Sequence, residues 1–122
     1  MLVTYLGIYA IAAIGFLLRV INLGLPKGLI FDEVYYVDGA RDLLAYGVEV
    51  DEANAEFIVH PPVGKWLIAA GIQVFGDDEF GWRISTAIAG VISIILIGLI
   101  AQRLFRSHCL TLFATFLATV DG

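Results

Sequence analysis

Two adjacent carboxylates, Asp32 and Glu33, are the first residues of this sequence that could do chemistry. They open a helical pattern, where an Asp commonly caps the helix and a Glu in the first turn suits the helix dipole. The same placement fixes a carboxylate in space, so that it could act as a general base on a hydroxyl group or bind a metal ion. The capping and the chemical interpretations are compatible.

Three basic side chains, His60, Lys65 and Arg83, are the second group of candidates. His60 and Lys65 bracket a rigid segment with two prolines and a glycine, and Arg83 precedes a long apolar run. Each alone fits a plainer role, as a loop histidine or as a cation that anchors at a membrane surface. Together they could bind a phosphate, which the guanidinium fork of Arg83 suits through paired hydrogen bonds. Glu33 is an alternative partner for His60 or Lys65.

The elements that position these residues follow from the distribution of charge. The chain has 122 residues, of which 60% are hydrophobic and 16% charged, and its mean hydropathy is +0.90. Soluble domains have about a quarter of their residues charged. All charged side chains except Arg19, Arg103, Arg106 and Asp121 lie between Lys27 and Arg83. The sequence therefore predicts an all-α integral membrane protein with one polar segment between apolar ones.

The apolar runs divide the chain into four parts. We predict a first transmembrane helix in residues 1–25, an outer loop in 26–83, a second transmembrane helix in 84–105, and a turn with the start of a third in 106–122. A cleaved signal peptide is the alternative for the first run. It is disfavoured because no Lys or Arg precedes the run and no small-x-small cleavage pattern follows it.

The orientation in the membrane follows from Arg103 and Arg106, which lie in the turn after the second span with no acid beside them. Positive charge in short loops marks the cytoplasmic side. The amino terminus is then cytoplasmic and the 26–83 loop is extracytoplasmic, in a multi-pass protein of the cell membrane.

Two short helices are predicted within the outer loop. The first runs from Glu33 to about Tyr46 and ends at Gly47, and the second runs from Trp66 to Phe75. The first is amphipathic, which places it at the membrane interface, and the second is too short to span, so it is interfacial or re-entrant. The segments 47–56 and 76–79 are predicted to be an acidic loop and a solvated polar turn.

Several function classes are disfavoured by the sequence. A net charge of −5 without a basic run argues against nucleic acid as a partner. No nucleotide-binding glycine loop, zinc spacing or nucleophile elbow is present. The acids lack a converging ligand set, so we expect neither a metal nor another cofactor. If the protein is a transferase, a lipid-linked donor fits this placement better than a sugar nucleotide.

Four segments in order carry a resemblance to a known family: FDEVYYVDGARDLL (31–44), FIVHPPVGKWLIAAG (57–71), FGWRISTAIAG (80–90), and LATVDG (117–122) after RLFRS. Their order and spacing resemble the amino-terminal region of the protein O-mannosyltransferases, closest to the actinobacterial type. These are multi-span membrane enzymes of the GT-C class. The resemblance covers about Leu29 to Gly122, and the four segments together are more specific than any one of them.

The resemblance implies transfer of mannose from a polyprenyl or dolichyl phosphate to Ser or Thr of proteins that cross the membrane. Asp32 would then be the base that deprotonates the acceptor hydroxyl, with Glu33 beside it. The donor phosphate would be bound by Arg83, Lys65 and His60. The implied partners are the lipid-linked mannose donor, a secreted or membrane protein acceptor, membrane lipid and the protein translocation machinery.

Elementary chemistry agrees with this implication. A single inverting displacement needs one base and a leaving group that departs readily. A lipid phosphate already leaves readily, but its developing negative charge must be stabilised by cations. The family continues beyond Asp121-Gly122, so we expect a fragment that is inactive alone. The alternatives are a related lipid-phosphate-sugar transferase that modifies glycan or lipid, and a non-catalytic small membrane subunit.

Overall fold

The computed structural model describes residues 1–51, 54–55 and 60–121. In this part of the chain five helices follow one another: α1 (Leu2–Val20), α2 (Glu33–Tyr46), α3 (Pro62–Phe75), α4 (Glu79–Phe105) and α5 (His108–Val120). Between α2 and α3, the two-residue strands β1 (Val50–Asp51) and β2 (Asn54–Ala55) pair in antiparallel register. The predictions made for part of the acidic loop, for residues 57–59 and for the final residue of the Asp121-Gly122 motif concern positions outside this description.

Two helices, α1 and α4, are long and apolar enough to cross a membrane. They contain 19 and 27 residues, and only 22% and 28% of their most apolar windows are buried. A core helix of a soluble protein would be mostly buried, whereas these helices expose their apolar side chains. The shorter helices α3 and α5 are apolar as well.

The chain forms two compact units, and the first contains residues 1–21 and 87–122. In this unit α1 packs along α5. Gly98 of α4 allows three helices to meet, since a Cβ atom there would lie 2.7 Å from Thr115 Oγ1 and 2.8 Å from Ile8 Cγ2. A larger residue at position 98 would force the side chains of Ile8 and Thr115 to shift.

Polar groups of this first unit bond both to backbone carbonyls and to side chains: Thr4 Oγ1 lies 3.1 Å from His108 Nδ1, and Thr111 Oγ1 lies 2.8 Å from Gln102 Oε1. Thr111, Thr115 and Thr119 are buried, and each hydroxyl donates to the carbonyl four residues earlier at 2.7, 2.8 and 3.0 Å. Hydroxyl groups can remain in apolar surroundings in this way. The Arg19 guanidinium donates to the carbonyls of Gly15 and Thr119 at 3.3 and 3.4 Å.

The second unit contains residues 22–86. Here α2 packs against α3. Its core consists of small and medium-sized apolar side chains with one indole: Val37, Ala40, Ala69, Ile72 and Trp82. The observed bounds of α2 match the predicted helix, and Gly47 ends it with a φ of 76°, which favours glycine.

Two helices begin earlier than the hydrophobic pattern predicts. The first turn of α3 contains Pro62, since proline is tolerated where the amide has no helical partner. Asp78 caps α4 by accepting a hydrogen bond from the Gly81 amide at 2.8 Å, so the helix begins at Glu79 and not at Ile84. Arg83 therefore lies one turn inside α4.

Candidate functional site

Arg83 uses all five of its N–H groups within the second unit. Nε and Nη2 donate to the two carboxylate oxygens of Glu33 at 2.6 and 2.9 Å. The remaining bonds, of 3.0 to 3.1 Å, reach the carbonyls of Leu23, Pro26 and Gly28. A guanidinium has five N–H donors and no acceptor. A phosphate ligand would therefore have to displace one of these oxygens.

Glu33 is held from two sides. Besides its bonds with Arg83, it accepts a hydrogen bond from the Ile30 amide at 3.0 Å. The hydrogen bonds from Arg83 lower the pKa of Glu33 below its ordinary value of 4.5. Phe31, which lies between Ile30 and Glu33, has a φ of 50°. This left-handed backbone conformation is energetically unfavourable for a bulky residue. The contacts of Glu33 thus fix a strained turn directly before α2.

Asp32 presents its carboxylate to solvent at the start of α2. Its backbone carbonyl accepts hydrogen bonds from the Tyr35 and Tyr36 amides, but its side chain does not cap the helix. No side-chain donor among the described residues bonds to this carboxylate, and the residue is exposed. A carboxylate in this state is available to accept a proton from an approaching hydroxyl.

Lys65 is buried and paired with Glu49. The side chains of Lys65 and Glu49 are 4% and 3% exposed, and they form both a salt bridge and a hydrogen bond. Glu33, the partner considered for Lys65 from the sequence, is bound to Arg83 instead. The structure thus gives Lys65 a carboxylate partner where the sequence predicted a phosphate ligand.

His60 lies half-buried two residues before α3. Its imidazole packs against the Tyr36 ring, with the ring centroids 4.6 Å apart and the planes tilted by 36°. No hydrogen bond to its ring nitrogens occurs among the described residues. Of the three predicted phosphate ligands, His60 is thus the one whose polar atoms have no protein partner within that description.

The turn of Asp77, Asp78 and Glu79, which is largely exposed, also joins several segments of the second unit. Asp77 receives hydrogen bonds of 2.8 to 3.1 Å from Arg41, and Glu79 accepts the Gly28 amide at 2.9 Å. Asp78 caps α4. These residues are exposed or half-buried, but each one fastens a different segment.

The same contacts replace a pairing suggested by helical spacing. Asp38 stands three residues before Arg41, a spacing typical of ion pairs on a helix. In the structure Arg41 binds Asp77 and lies 5.6 Å from the centroid of the Trp82 ring. The bonds with Asp77 raise the pKa of Arg41. A long-range carboxylate with two parallel hydrogen bonds is preferred over a neighbour on the same helix.

No three His, Cys, Asp or Glu side chains converge as metal ligands in the part of the chain that the structure describes. Asp32 and Glu33 do not share a ligand-like site, because Glu33 is bound to Arg83. The arrangement can instead accept a proton at Asp32 and hold the turn that carries it.

Sequence reasoning missed Glu49. It was included only in an acidic loop, yet it is 6% exposed. One signal was available: Lys65 lies among apolar residues on α3, and a lysine on a buried helix face requires an anionic partner. Nothing in the sequence tells which of the nearby acids supplies it.

Comparison with known proteins gives a family match and several relatives. Residues 59–121 match the family described as dolichyl-phosphate-mannose-protein mannosyltransferase. A polyprenol-phosphate-mannose–protein mannosyltransferase of Mycolicibacterium smegmatis is 40% identical over 115 residues, which cover 92% of this chain and 22% of that protein. Its counterpart in Mycobacterium tuberculosis is 43% identical over 94 residues, covering 76% of this chain and 18% of the relative.

A relative with another printed activity also matches. An undecaprenyl phosphate-alpha-4-amino-4-deoxy-L-arabinose arabinosyl transferase of Pseudomonas aeruginosa is 34% identical over 92 residues, or 70% of this chain and 17% of that protein. The chain spans about a fifth of the length of the curated relatives it matches. No solved structure matches it significantly.

Proposed function

Because the chain belongs to the dolichyl-phosphate-mannose-protein mannosyltransferase family, we propose that it supplies the acceptor-activating part of an enzyme that transfers mannose from a polyprenyl-phosphate donor to Ser or Thr of proteins. The family is a membrane-embedded GT-C fold, and the helical architecture with two spanning-length helices agrees with it. The fold class and the resemblance predicted from the sequence are thereby confirmed.

The observation that carries the proposal is the exposed Asp32 carboxylate at the start of α2, beside a Glu33 that Arg83 immobilises. A general base must be free to receive a proton and must be held in place. Asp32 meets the first condition, and the contacts of Glu33 supply the second.

The reaction needs no acid. Asp32 takes the proton from the acceptor hydroxyl as the hydroxyl oxygen bonds to the anomeric carbon of mannose. The bond from that carbon to the lipid phosphate oxygen breaks, and the phosphate leaves with the electron pair. The negative charge that grows on the phosphate must be stabilised by a hydrogen-bond donor or a cation of the protein, because an unpaired anion in an apolar site is energetically unfavourable.

On the donor side, we assign His60 to contact the phosphate. Its ring nitrogens have no partner among the described residues, whereas Arg83 and Lys65 are engaged with carboxylates. Direct contact of Arg83 or Lys65 with the donor, as expected from the sequence, would require either residue to leave its carboxylate. We therefore propose that Arg83 and Lys65 stabilise the structure of the site through these carboxylates and do not contact the donor.

The proposed topology puts the outer loop, residues 26–83, on the extracytoplasmic side of the cell membrane and the amino terminus in the cytoplasm, in a multi-pass protein. Arg103 and Arg106 support it by the positive-inside rule. An impermeant maleimide should label a Val48→Cys variant in intact cells, and should label Cys109 only after permeabilisation. Labelling of Cys109 in intact cells would contradict the topology. The acceptor would then be a secreted or membrane protein that meets the enzyme near the translocation machinery.

The test of the activity uses the complete gene product in membranes, with polyprenyl-phosphate-mannose and a Ser/Thr peptide. Asp32→Asn should lower kcat by a factor of about 100 or more, as expected for loss of a general base. Asp38→Asn, an exposed acid on the same helix, serves as the control and should retain the wild-type rate. Unchanged transfer by Asp32→Asn would remove Asp32 from this role.

A second candidate is a lipid-phosphate-sugar transferase with a different sugar or acceptor. The match to the arabinosyl transferase favours including it. The two candidates share the base and the phosphate leaving group and differ in what is transferred. Mass spectrometry of the labelled product, with mannose or an aminopentose donor and a peptide or lipid acceptor, separates them.

A further inference from the structure

The buried Lys65–Glu49 ion pair has no part in the transfer reaction as written above. Both side chains are almost fully withdrawn from solvent. Removing two opposite charges from water is costly, and their attraction offsets that cost only when they are paired with good geometry. The structural role of this ion pair is therefore to be found in the segments that it joins.

The backbone around Glu49 is fixed on both sides. Gly47 ends α2 in a left-handed conformation, and its amide donates to the Leu43 carbonyl at 3.1 Å. The Val50 amide donates to the Asp42 carboxylate at 3.1 Å. The backbone segment that contains Glu49 is thus hydrogen-bonded to α2 on both sides of this residue.

The Lys65 side chain crosses α2 at Gly39. A Cβ atom at Gly39 would lie 3.0 Å from both Cδ and Nζ of Lys65, and 3.1 Å from the Glu49 carboxylate. Contacts this short are tighter than ordinary van der Waals packing. The glycine in the middle of α2 therefore provides the space in which the ion pair forms.

A second contact joins the start of α3 to the same helix. The Tyr36 ring packs against the His60 imidazole, and a Cβ atom at Gly64 would lie 3.7 Å from the Tyr36 ring. Tyr36 and Gly39 are three residues apart on α2 and so lie on one face. The first turn of α3 is therefore held against α2 both by the aromatic contact and by the ion pair.

We infer that Glu49 is a positioning residue: its ion pair with Lys65 fixes the first turn of α3 on α2 and thereby the place of the His60 imidazole relative to Asp32. Asp32 directly precedes α2 and His60 lies two residues before α3, so the packing of these two helices sets the distance between base and phosphate ligand. The inference rests on the proposed function of Asp32 and His60. It assigns to Lys65 a contact with Glu49 and none with the donor.

A double-mutant cycle in the complete gene product tests this assignment. Glu49→Leu and Lys65→Met each leave one buried charge unpaired, and each should lower kcat by about tenfold or more through misplacement of His60. The KM for the polyprenyl-phosphate donor should stay within about threefold, because no donor contact is lost. The Glu49→Leu/Lys65→Met double variant, with an apolar pair of similar volume, should return kcat to within about threefold of wild type.

Two results of the cycle would overturn the inference. A double variant as impaired as Lys65→Met alone, with a raised donor KM, would show that the Lys65 charge contacts the donor. Wild-type kcat in Glu49→Leu would show that Glu49 positions nothing. If a single variant fails to accumulate in the membrane, Gly39→Ala takes its place, since it keeps both charges and forces the Lys65 and Glu49 side chains to shift by a few tenths of an ångström. Wild-type kcat in Gly39→Ala would then count against the inference.

A readout independent of transfer keeps this inference separate from the proposed function. In protein labelled with ¹⁵N-histidine, the His60 imidazole signal is assigned by comparison with His60→Gln. The His60 signal should shift in each single variant and return to its wild-type position in the double variant. Where Gly39→Ala replaces a single variant, the signal should shift in Gly39→Ala. If the His60 signal follows this pattern but the complete gene product transfers no mannose, the proposed function is wrong and the positioning of His60 by Glu49 is supported. If transfer occurs but the signal is the same in all variants, the positioning inference fails alone.

Discussion

The two compact units of this chain satisfy their polar groups by different means. All acidic residues except Asp121 lie in residues 22–86, where four of them, Glu33, Glu49, Asp77 and Glu79, pair with Arg83, Lys65, Arg41 and Lys27. In residues 1–21 and 87–122, Arg19 and the threonine hydroxyls of α5 donate to backbone carbonyls, and the side-chain contacts are between neutral polar groups, Thr4 with His108 and Thr111 with Gln102. Carboxylates are costly in an apolar environment, whereas a carbonyl is present at every turn of a helix.

This difference determines what each unit depends on. The unit of residues 22–86 depends on matched charges, because loss of one partner leaves the other partly buried and unpaired. The unit of the long apolar helices depends on close steric fit at its glycines. A substitution that removes a charge should therefore destabilise mainly the unit of residues 22–86. A substitution that adds a methyl group at a packed glycine should destabilise mainly the unit of the long apolar helices.

The largest effect should come from Arg83→Met, which removes five hydrogen bonds and leaves Glu33 unpaired. We expect a loss of about 3 kcal/mol in the free energy of unfolding, measured by denaturant titration in mixed micelles. Arg103→Met, an exposed arginine in the last turn of α4, is the control and should change the free energy by less than about 0.5 kcal/mol. Equal effects of the two variants would contradict the dependence on paired charge.

Gly98→Ala should have the next largest effect. The added methyl group would lie 2.7 Å from Thr115 Oγ1 and 2.8 Å from Ile8 Cγ2. Overpacking of this kind costs about 1–3 kcal/mol, to be read from thermal unfolding in detergent. Gly24→Ala makes the same change where no atom lies within 4 Å, and should leave the melting temperature unchanged. A stable Gly98→Ala variant would mean that the helices do not meet at this glycine.

Glu33→Gln should have a smaller effect that depends on pH. The pKa of Glu33 is lowered by Arg83, so its stabilisation is complete above the unfolded value of 4.5 and is lost as the pH falls through the lowered folded value. At pH 7 the variant should be less stable by about 1 kcal/mol, the difference between a charged and a neutral hydrogen bond. The gap should close on acidification. A gap that stays constant down to pH 3 would argue against the ion pair.

The smallest effect is expected for Thr115→Val. Its hydroxyl donates to the Thr111 carbonyl of its own helix, and valine keeps nearly the same shape. The free energy of unfolding should change by less than about 1 kcal/mol, near the average for polar contacts between membrane helices. A larger loss, measured in the same micelles as the Gly98→Ala variant, would reveal a partner for this hydroxyl outside α5.

The helices were predictable from the sequence because they depend on local periodicity and local caps. The bounds of α2 and the closing glycine follow from the apolar stripe and from Gly47. The start of α4 was displaced by five residues because Asp78 caps the helix within a stretch that composition marks as polar. A hydrophobic run defines where a helix can cross a membrane, but a cap defines where the helix begins.

The pairing of charges was not predictable in the same way. Asp32, His60, Lys65 and Arg83 were identified as candidates by type and spacing, but the partners of Lys65 and Arg83 are set by tertiary packing. Glu49 stands 16 residues before Lys65, and Glu33 stands 50 residues before Arg83. Local spacing favours neighbours three or four residues away and contains no information about such contacts.

The threonines of α5 have a consequence for assembly. Thr111, Thr115 and Thr119 each bond to a carbonyl of the chain segment that forms α5 and its cap, at one-turn intervals. The hydroxyl groups of Thr115 and Thr119 can therefore enter an apolar phase without waiting for another helix, whereas Thr111 also bonds to Gln102 of α4 at 2.8 Å. A helix that satisfies its own hydroxyls can be inserted first and packed later, so Thr115 and Thr119 place no constraint on the order in which neighbouring helices arrive.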